Sequence, residues 1–227
     1  MRANRFGIKR LKSSELKWMM CCYALKLKMK FKNEHKTLLI LDLDETLMHG
    51  SEKPLEQKEA FKAFHFYIYC RPFLNVFLEA IKKDFLIAVW SSASDDYVET
   101  VVAKLFPEDY PLEFVWGRKR CTYRSKRFSK NFGRYLEDYA TPFFYLKSLQ
   151  KVKRQGYKLE RILMVDDSPE KTQNNYGNAI YPSPFTGNLE DDELLYLLKY
   201  LKILKNKTNI RAIEKRGWRA FVEGTSD

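Results

Sequence analysis

Between Leu38 and Leu47 the chain reads Leu-Leu-Ile-Leu-Asp-Leu-Asp-Glu-Thr-Leu. Four apolar residues lead into two aspartates spaced one apart, then a threonine. An apolar run this short, without polar alternation, predicts a strand buried on both faces, as in a parallel sheet. In open α/β sheets, ligands and chemistry gather beyond the carboxyl ends of the strands. Asp42 and Asp44 stand at that end. Carboxylates withdrawn from water are costly unless a cation or a reaction engages them. The stretch is therefore the candidate centre of the site.

The rest of the chain fits strands alternating with helices. Phe64–Cys70 is aromatic-rich and predicts a strand in a small antiparallel ribbon, preceded by a polar loop over 50–57. Pro72 suits the first turn of a helix, with Phe73, Val76, Phe77, Ala80 and Ile81 at helical spacing. Phe85–Trp90 predicts a second buried strand, ending at Ser91-Ser92. Ser94 or Asp95 caps a helix whose buried face carries Tyr97, Val98, Val101, Val102 and Leu105. Leu112–Trp116 and Arg161–Val165 predict two more strands, and Asn178–Tyr181 a short fifth one. Helices are expected from about Leu146 to Arg154 and from Asp191 to Leu204. This order predicts an α/β fold with a doubly wound, mainly parallel sheet.

Charge divides the chain further. Residues 1–36 hold eleven Lys/Arg against two acids, and residues 117–136 hold eight and no acid, out of a net charge of +12. The basicity belongs to one extension and one internal segment. Such patches attract anionic partners: phosphorylated protein, nucleic acid or an anionic surface. The expected organisation is a basic extension over 1–36, a folded domain over 37–205 with a basic-aromatic insertion at 117–142, and a polar tail over 206–227 anchored at Ile213 and Trp218. Cys21, Cys22, Cys70 and Cys121 form neither a disulfide framework nor a zinc spacing, which predicts free thiols and a cytoplasmic protein. The uncharged run Trp18–Leu25 is too short to span a bilayer, so no transmembrane segment is expected.

Three strand ends present polar groups: Asp42/Asp44, Ser91/Ser92 and Asp166/Asp167. Lys147 lies between the last two, at the expected start of a helix. Carboxylates with a hydroxyl and an ammonium describe a magnesium and phosphate site. Mg²⁺ takes hard oxygen ligands and usually few carboxylates. Phosphoryl transfer needs positioning and charge neutralisation, and a carboxylate can serve as its nucleophile. His35, His49 and His65 lack ligand-like spacing.

With these residues in place, the sequence resembles the haloacid dehalogenase superfamily. Within it, Asp42-Leu43-Asp44-Glu45-Thr46-Leu47 resembles the NLI-interacting-factor-like branch, the RNA polymerase II C-terminal-domain phosphatases. Four motifs match in order: Asp42-x-Asp44-x-Thr46, Trp90-Ser91-Ser92-Ala93-Ser94, Tyr145-Leu146-Lys147 and Val165-Asp166-Asp167-Ser168-Pro169. Arg71-Pro72 and Asn178-Ala179-Ile180 match accompanying segments, and the wider pattern, with Val115–Arg118, looks like a bacterial member. The resemblance covers about residues 37–205. It implies that Asp42 attacks phosphorus and that Asp44 protonates the leaving oxygen, then activates water. It implies Mg²⁺ on Asp42, on Asp44 through its backbone carbonyl, and on Asp167, with Asp166 close behind. Ser91 would bind a phosphate oxygen, Ser92 being the other candidate, and Lys147 would neutralise phosphate and nucleophile. Thr46 is expected to help bind substrate. The family often has threonine at the Ser91 position and asparagine or aspartate at the Asp167 position.

Few residues separate the first two motifs, so no large cap is expected. An open site suits a phosphorylated side chain, serine or threonine, on a protein. In the insertion, arginines and lysines, among them Arg118 and Arg120, alternate with Tyr123, Phe128, Phe132 and Tyr135. Arginine binds phosphate bidentately and stacks on aromatic rings, and the same alternation suits nucleic acid. The insertion is expected to wall the substrate groove through Arg118 and Arg120. The function expected is a Mg²⁺-dependent phosphomonoester hydrolase working through an aspartyl-phosphate. The alternatives are a phosphatase of nucleic-acid ends or small metabolites, and a catalytically silent binding module.

Overall fold

A computed structural model describes residues 36–125 and 143–224. Expectations for the extension 1–35, for 126–142 and for 225–227 lie outside the described residues. The fold centres on five parallel strands in the order β10–β9–β1–β5–β6. These are β1 (Leu38–Leu41), β5 (Leu86–Trp90), β6 (Leu112–Trp116), β9 (Ile162–Val165) and β10 (Ala179–Ile180). Between β1 and β5 lie β2 (Met48–Ser51), β3 (Phe61–Ala63) and β4 (Phe66–Cys70), an antiparallel ribbon in the order β2–β4–β3. The α/β class and the small ribbon agree with the sequence, although β2 enters the stretch expected to be loop.

Alternation explains why β1 is apolar throughout. Leu39 and Leu41 join a core with α1 (Leu74–Asp84), α2 (Asp95–Leu105), α5 (Glu193–Leu204) and α6 (Trp218–Glu223). Leu38 and Ile40 face the other side, against Leu149 and Val152 around α3 (Gln150–Lys153). Successive strand residues point to opposite faces, so a sheet covered on both sides needs apolar residues at every position. Truncating one of these leucines to alanine costs about 2–5 kcal/mol.

Register aligns the strand ends. Leu38 pairs with Leu86 on one side and Ile162 on the other, and Leu41 with Val89 and Val165. Asp42 N donates to Val165 O at 2.9 Å, so Asp42 and Asp166 emerge side by side. Ser91, one residue past β5, emerges at the same edge.

Several boundaries differ from the sequence expectation. Helix α1 begins at Leu74 because Phe73, with φ of 63°, breaks the helical path after Pro72. Residues 143–146 form β8 (Phe143–Leu146), paired antiparallel with β7 (Thr122–Ser125). Lys147 therefore follows a strand rather than starting a helix, and the helix beyond shrinks to Gln150–Lys153. The segment after 205 packs against the fold as far as residue 224. Ile210, Trp218 and Val222 are buried, and Arg219 pairs with Asp192, Glu193 and Glu223. Cys70 and Cys121 are free thiols, and Cys21 and Cys22 lie outside the described residues.

Candidate active site

The site begins with a turn. After Asp42 the backbone folds back through Leu43–Thr46, with Leu47 N donating to Leu43 O at 2.8 Å. Glu45 adopts φ of 57°, a left-handed conformation unusual outside glycine and asparagine. Buried Arg71 holds this turn. Its Nη1 donates to Thr46 O at 3.0 Å, while Nε and Nη2 grip the Asp191 carboxylate at 2.7 and 2.8 Å. Breaking such a buried pair costs about 3–5 kcal/mol.

The two aspartates of the turn meet different surroundings. Asp42 is buried, and its Oδ2 lies 2.9 Å from Lys147 Nζ and 3.7 Å from Lys171 Nζ. Burial alone would raise its pKa, but Lys147 and then Lys171 hold the carboxyl below its ordinary value. Oδ2 lies close enough to Lys147 for a strong ion pair, yet it receives no well-directed hydrogen bond among the described residues. Asp44 accepts from Ser91 Oγ on one oxygen and from Tyr97 Oη on the other, each at 3.1 Å. Burial, then the charge on Asp42, raises Asp44, and the Ser91 and Tyr97 donors only partly oppose them. One carboxyl is kept ionised and its neighbour is biased towards protonation.

Lys147 is fully buried and donates to Asp166 at 2.7 Å. Burial would lower its pKa, but Asp166 and Asp42 carry it above the ordinary lysine value. Of the carboxylates sharing this ammonium, Asp42 stays ionised while burial pushes Asp166 upward. Thr46 Oγ1 accepts from Asp167 N at 3.2 Å. Asp42, Asp166 and Asp167 bring carboxylate oxygens within 4.8 Å of one another. This set fits a hard divalent cation: oxygen donors only, with one buried oxygen lacking a directed donor. The Asp44 carboxylate stands outside that cluster, turned to Ser91 and Tyr97.

Outward from Asp44 opens a cavity of about 580 Å³, lined by Glu45, Phe64, Phe66, Ser92, Tyr97, Arg118 and Lys171 among others. Ser92 faces it, whereas Ser91 is buried and its hydroxyl bonds both Asp44 and Ala93 N. Thr46, expected at substrate, is buried and engaged with Asp167. Arg118 lines the cavity, its Nε on Ser92 O at 2.8 Å and its guanidinium 5.0 Å from the Tyr145 ring centre. Arg120 stacks over Trp116 at 5.1 Å and is not part of the lining. Gly117 lets this segment approach α2, because a Cβ there would lie 2.8 Å from Asp95 Cα.

Two residues at the site carried no sequence signal of their role. Tyr97 has the spacing of a core face, and Lys171 that of a solvated helix residue. The only available hint is proximity: Lys171 follows Asp167 by four positions.

The fold and site define an α/β domain with an acidic cluster at the carboxyl end of its sheet, and comparison with known proteins gives its family. The NLI interacting factor-like phosphatase family model matches residues 37–211, and the chain belongs to that family. Among curated relatives, CTD small phosphatase-like protein 2 of Dictyostelium discoideum is 26% identical over 183 residues, covering 78% of this chain and 29% of the relative. Nuclear envelope morphology protein 1 of Saccharomyces cerevisiae is 25% identical over 203 residues, covering 83% of this chain and 44% of the relative. The chain thus spans less than half the length of each. The solved structure of Fcp1, an essential RNA polymerase II CTD phosphatase, shares the fold at a TM-score of 0.50 and 13% identity, covering 88% of this chain and 64% of that one. Among the described residues, no helix is long and apolar enough to cross a membrane.

Proposed function

We propose that this protein is a Mg²⁺-dependent phosphomonoester hydrolase acting through an aspartyl-phosphate, on phosphoserine or phosphothreonine of a protein. The observation that carries the reading is the contrast in partners: Asp42 lies 2.9 Å from the Lys147 ammonium, which favours its ionised form, whereas Asp44, two residues on, is turned to the neutral hydroxyls of Ser91 and Tyr97 and burial raises its pKa. An Asp42 oxygen attacks phosphorus and the bond to the leaving alkoxide breaks. Asp44 supplies the proton that the alkoxide needs. Asp44, now ionised, takes a proton from water, whose oxygen attacks phosphorus and breaks the bond to Asp42. Inorganic phosphate leaves and Asp44 is again protonated. A carboxyl with a raised pKa suits both proton transfers.

Asp42, Asp166 and Asp167 would hold Mg²⁺, with the Asp44 carbonyl as the further donor that the family resemblance implies. The ion supplies neutralisation of the phosphoryl oxygens. Lys147 keeps Asp42 ionised and fixed in place. Ser92 is the better-placed hydroxyl for substrate, since Ser91 already holds Asp44. The open cavity supports a protein side chain over an enclosed metabolite, and its Arg118 edge suits an anionic flank. That edge equally supports phosphorylated nucleic-acid ends.

The test is hydrolysis of an aryl phosphate with and without Mg²⁺, in the native chain and in Asp42→Asn. Magnesium-dependent turnover that falls below detection in Asp42→Asn is expected. Full activity of Asp42→Asn would refute the nucleophile, and an inactive native chain would favour the silent module. A panel of phosphopeptides, 5′- and 3′-phosphorylated oligonucleotides and sugar phosphates then ranks the substrates, with phosphopeptides expected first.

A further inference from the structure

Two lysines flank the Asp42 carboxylate, and they differ in what else they can reach. Lys147 comes from behind. It is fully buried, its ammonium is shared between Asp42 and Asp166, and it does not line the cavity. Lys171 comes from the front. Its side chain is 22% exposed, it lines the cavity beside Asp44, Ser92 and Arg118, and its ammonium stands 3.7 Å from Asp42 Oδ2. That separation is an ion pair longer than a hydrogen bond.

We propose that Lys171 is the cation that meets the phosphoryl group on the cavity side, while Lys147 serves the nucleophile from within. The proposal rests on the phosphatase reading and divides between two residues a task expected of Lys147 alone. Lys147 and Asp166 pack against one another beside the Asp42 carboxylate, and Lys171 is the ion-pair partner of Asp42 that also lines the cavity, so a phosphoryl group entering by the cavity meets Lys171 on its way to Asp42. Lys171 lies on the path of arrival, within a few ångströms of the attacking oxygen. Its N–H groups can turn from a long contact with Asp42 to direct bonds with phosphoryl oxygens, which are short and strong when both partners are charged.

The mounting supports the assignment. Lys171 sits on the short helix α4 (Pro169–Thr172), which follows Asp166-Asp167 directly. Its backbone carbonyl accepts from Lys147 N at 2.7 Å. The Lys147 carbonyl is in turn held by the Asn175 side chain, whose Oδ1 accepts from Leu149 N at 3.3 Å. The backbones carrying the two ammonium groups are thereby pinned to each other. A phosphoryl group would be met by a preorganised cation rather than one recruited from solvent.

Lys171 also faces the carboxylates proposed to hold the metal, and like charges repel. Its removal should therefore act with opposite signs on the two ligands of the site. In the full chain, Lys171→Met should raise KM for an aryl phosphate, and the inhibition constant of inorganic phosphate, about 10- to 100-fold. The same variant should bind Mg²⁺ more tightly by calorimetry in the absence of phosphate. Lys171→Arg, which keeps the charge, should stay near the native values for both. A variant that merely disturbed the site would weaken both ligands together, and that result would overturn the proposal, as would unchanged phosphate inhibition in Lys171→Met. The phosphatase reading stands or falls separately. If the native chain turns over and Asp42→Asn does not, that reading survives whatever Lys171 does. If the native chain is inactive, phosphate titration followed by ³¹P NMR still decides: weaker binding in Lys171→Met supports the anion site, and equal binding removes it.

Discussion

Among the described residues two lysines are buried, in two regions with opposite chemistry. Lys147 lies at the carboxyl end of the sheet between Asp42 and Asp166. Lys215 lies near the C-terminus, where its ammonium donates to the carbonyls of Gly177, Ile210 and Ile213 at 2.8, 2.7 and 2.8 Å. Burial depresses both. The carboxylates more than compensate at Lys147, while at Lys215 only Glu214 opposes, and its pKa is pulled down to about 8. A buried ammonium facing carboxylates is part of a charge cluster that can bind a further cation or an anion. A buried ammonium facing carbonyls is a clamp, here fastening the 210–216 segment to the turn that precedes β10.

The comparison predicts different failures. Lys147→Met should lower kcat for an aryl phosphate on the order of 10² to 10³-fold, as expected when a charged group at the reacting centre is removed. It also leaves Asp42 and Asp166 uncompensated, so denaturant unfolding should show lower stability without metal and partial recovery with Mg²⁺. A variant with native kcat would break the comparison. Lys215→Met should leave kcat unchanged and lower stability by about 1–3 kcal/mol, because three carbonyls lose their donor. Altered kcat at native stability would place Lys215 in the machinery instead.

Smaller effects sharpen the same contrast through pH. The folded chain holds the Lys215 proton less tightly than the unfolded chain, with pKa values of about 8 against 10.5. Between those values the unfolded state binds more protons, so this group's share of stability increases as pH rises. Unfolding at pH 8 and pH 10 should show that gain in the native chain, and its loss in Lys215→Met. At the other site, Tyr97→Phe removes a donor that lowers the Asp44 pKa. The basic limb of the kcat/KM profile should then move to higher pH, and a shift to lower pH would contradict Asp44 as the general acid.

The central strand and its aspartates were legible in the sequence because burial on both faces of a parallel strand leaves an uninterrupted apolar run. The same logic disclosed β5 and β9. The third motif was found but misplaced: Phe143–Leu146 pairs with β7, a partner inside a basic segment that shows no strand alternation. In sequence Tyr97 shows only as core, because a tyrosine on a buried helix face looks the same whether or not its hydroxyl reaches a carboxylate. Lys171 and Lys215 were invisible for a related reason. A single lysine in a polar stretch carries no period, and its burial is decided by segments distant in sequence. In sequence, residues 206–227 show only Ile213 and Trp218 as anchors, because Ile210 and Val222, both buried, are too sparse to signal a packed element.

The register of the central strands also sets where this chain can tolerate changes in length. Leu41 is matched to both Val89 and Val165, and Asp42 and Asp166 follow with no spacer. Adding one residue within β1 would displace Asp42 by about 3.3 Å and turn the following side chains to the opposite face. The stretch between β2 and β3 carries no such matching, its ties being single hydrogen bonds such as Leu55 N to Tyr69 Oη, and doubling a loop's length costs only about 0.6 kcal/mol in closure entropy. Insertions there should be absorbed, while the four-residue strand of β1 behaves as a ruler whose last mark sets the position of Asp42.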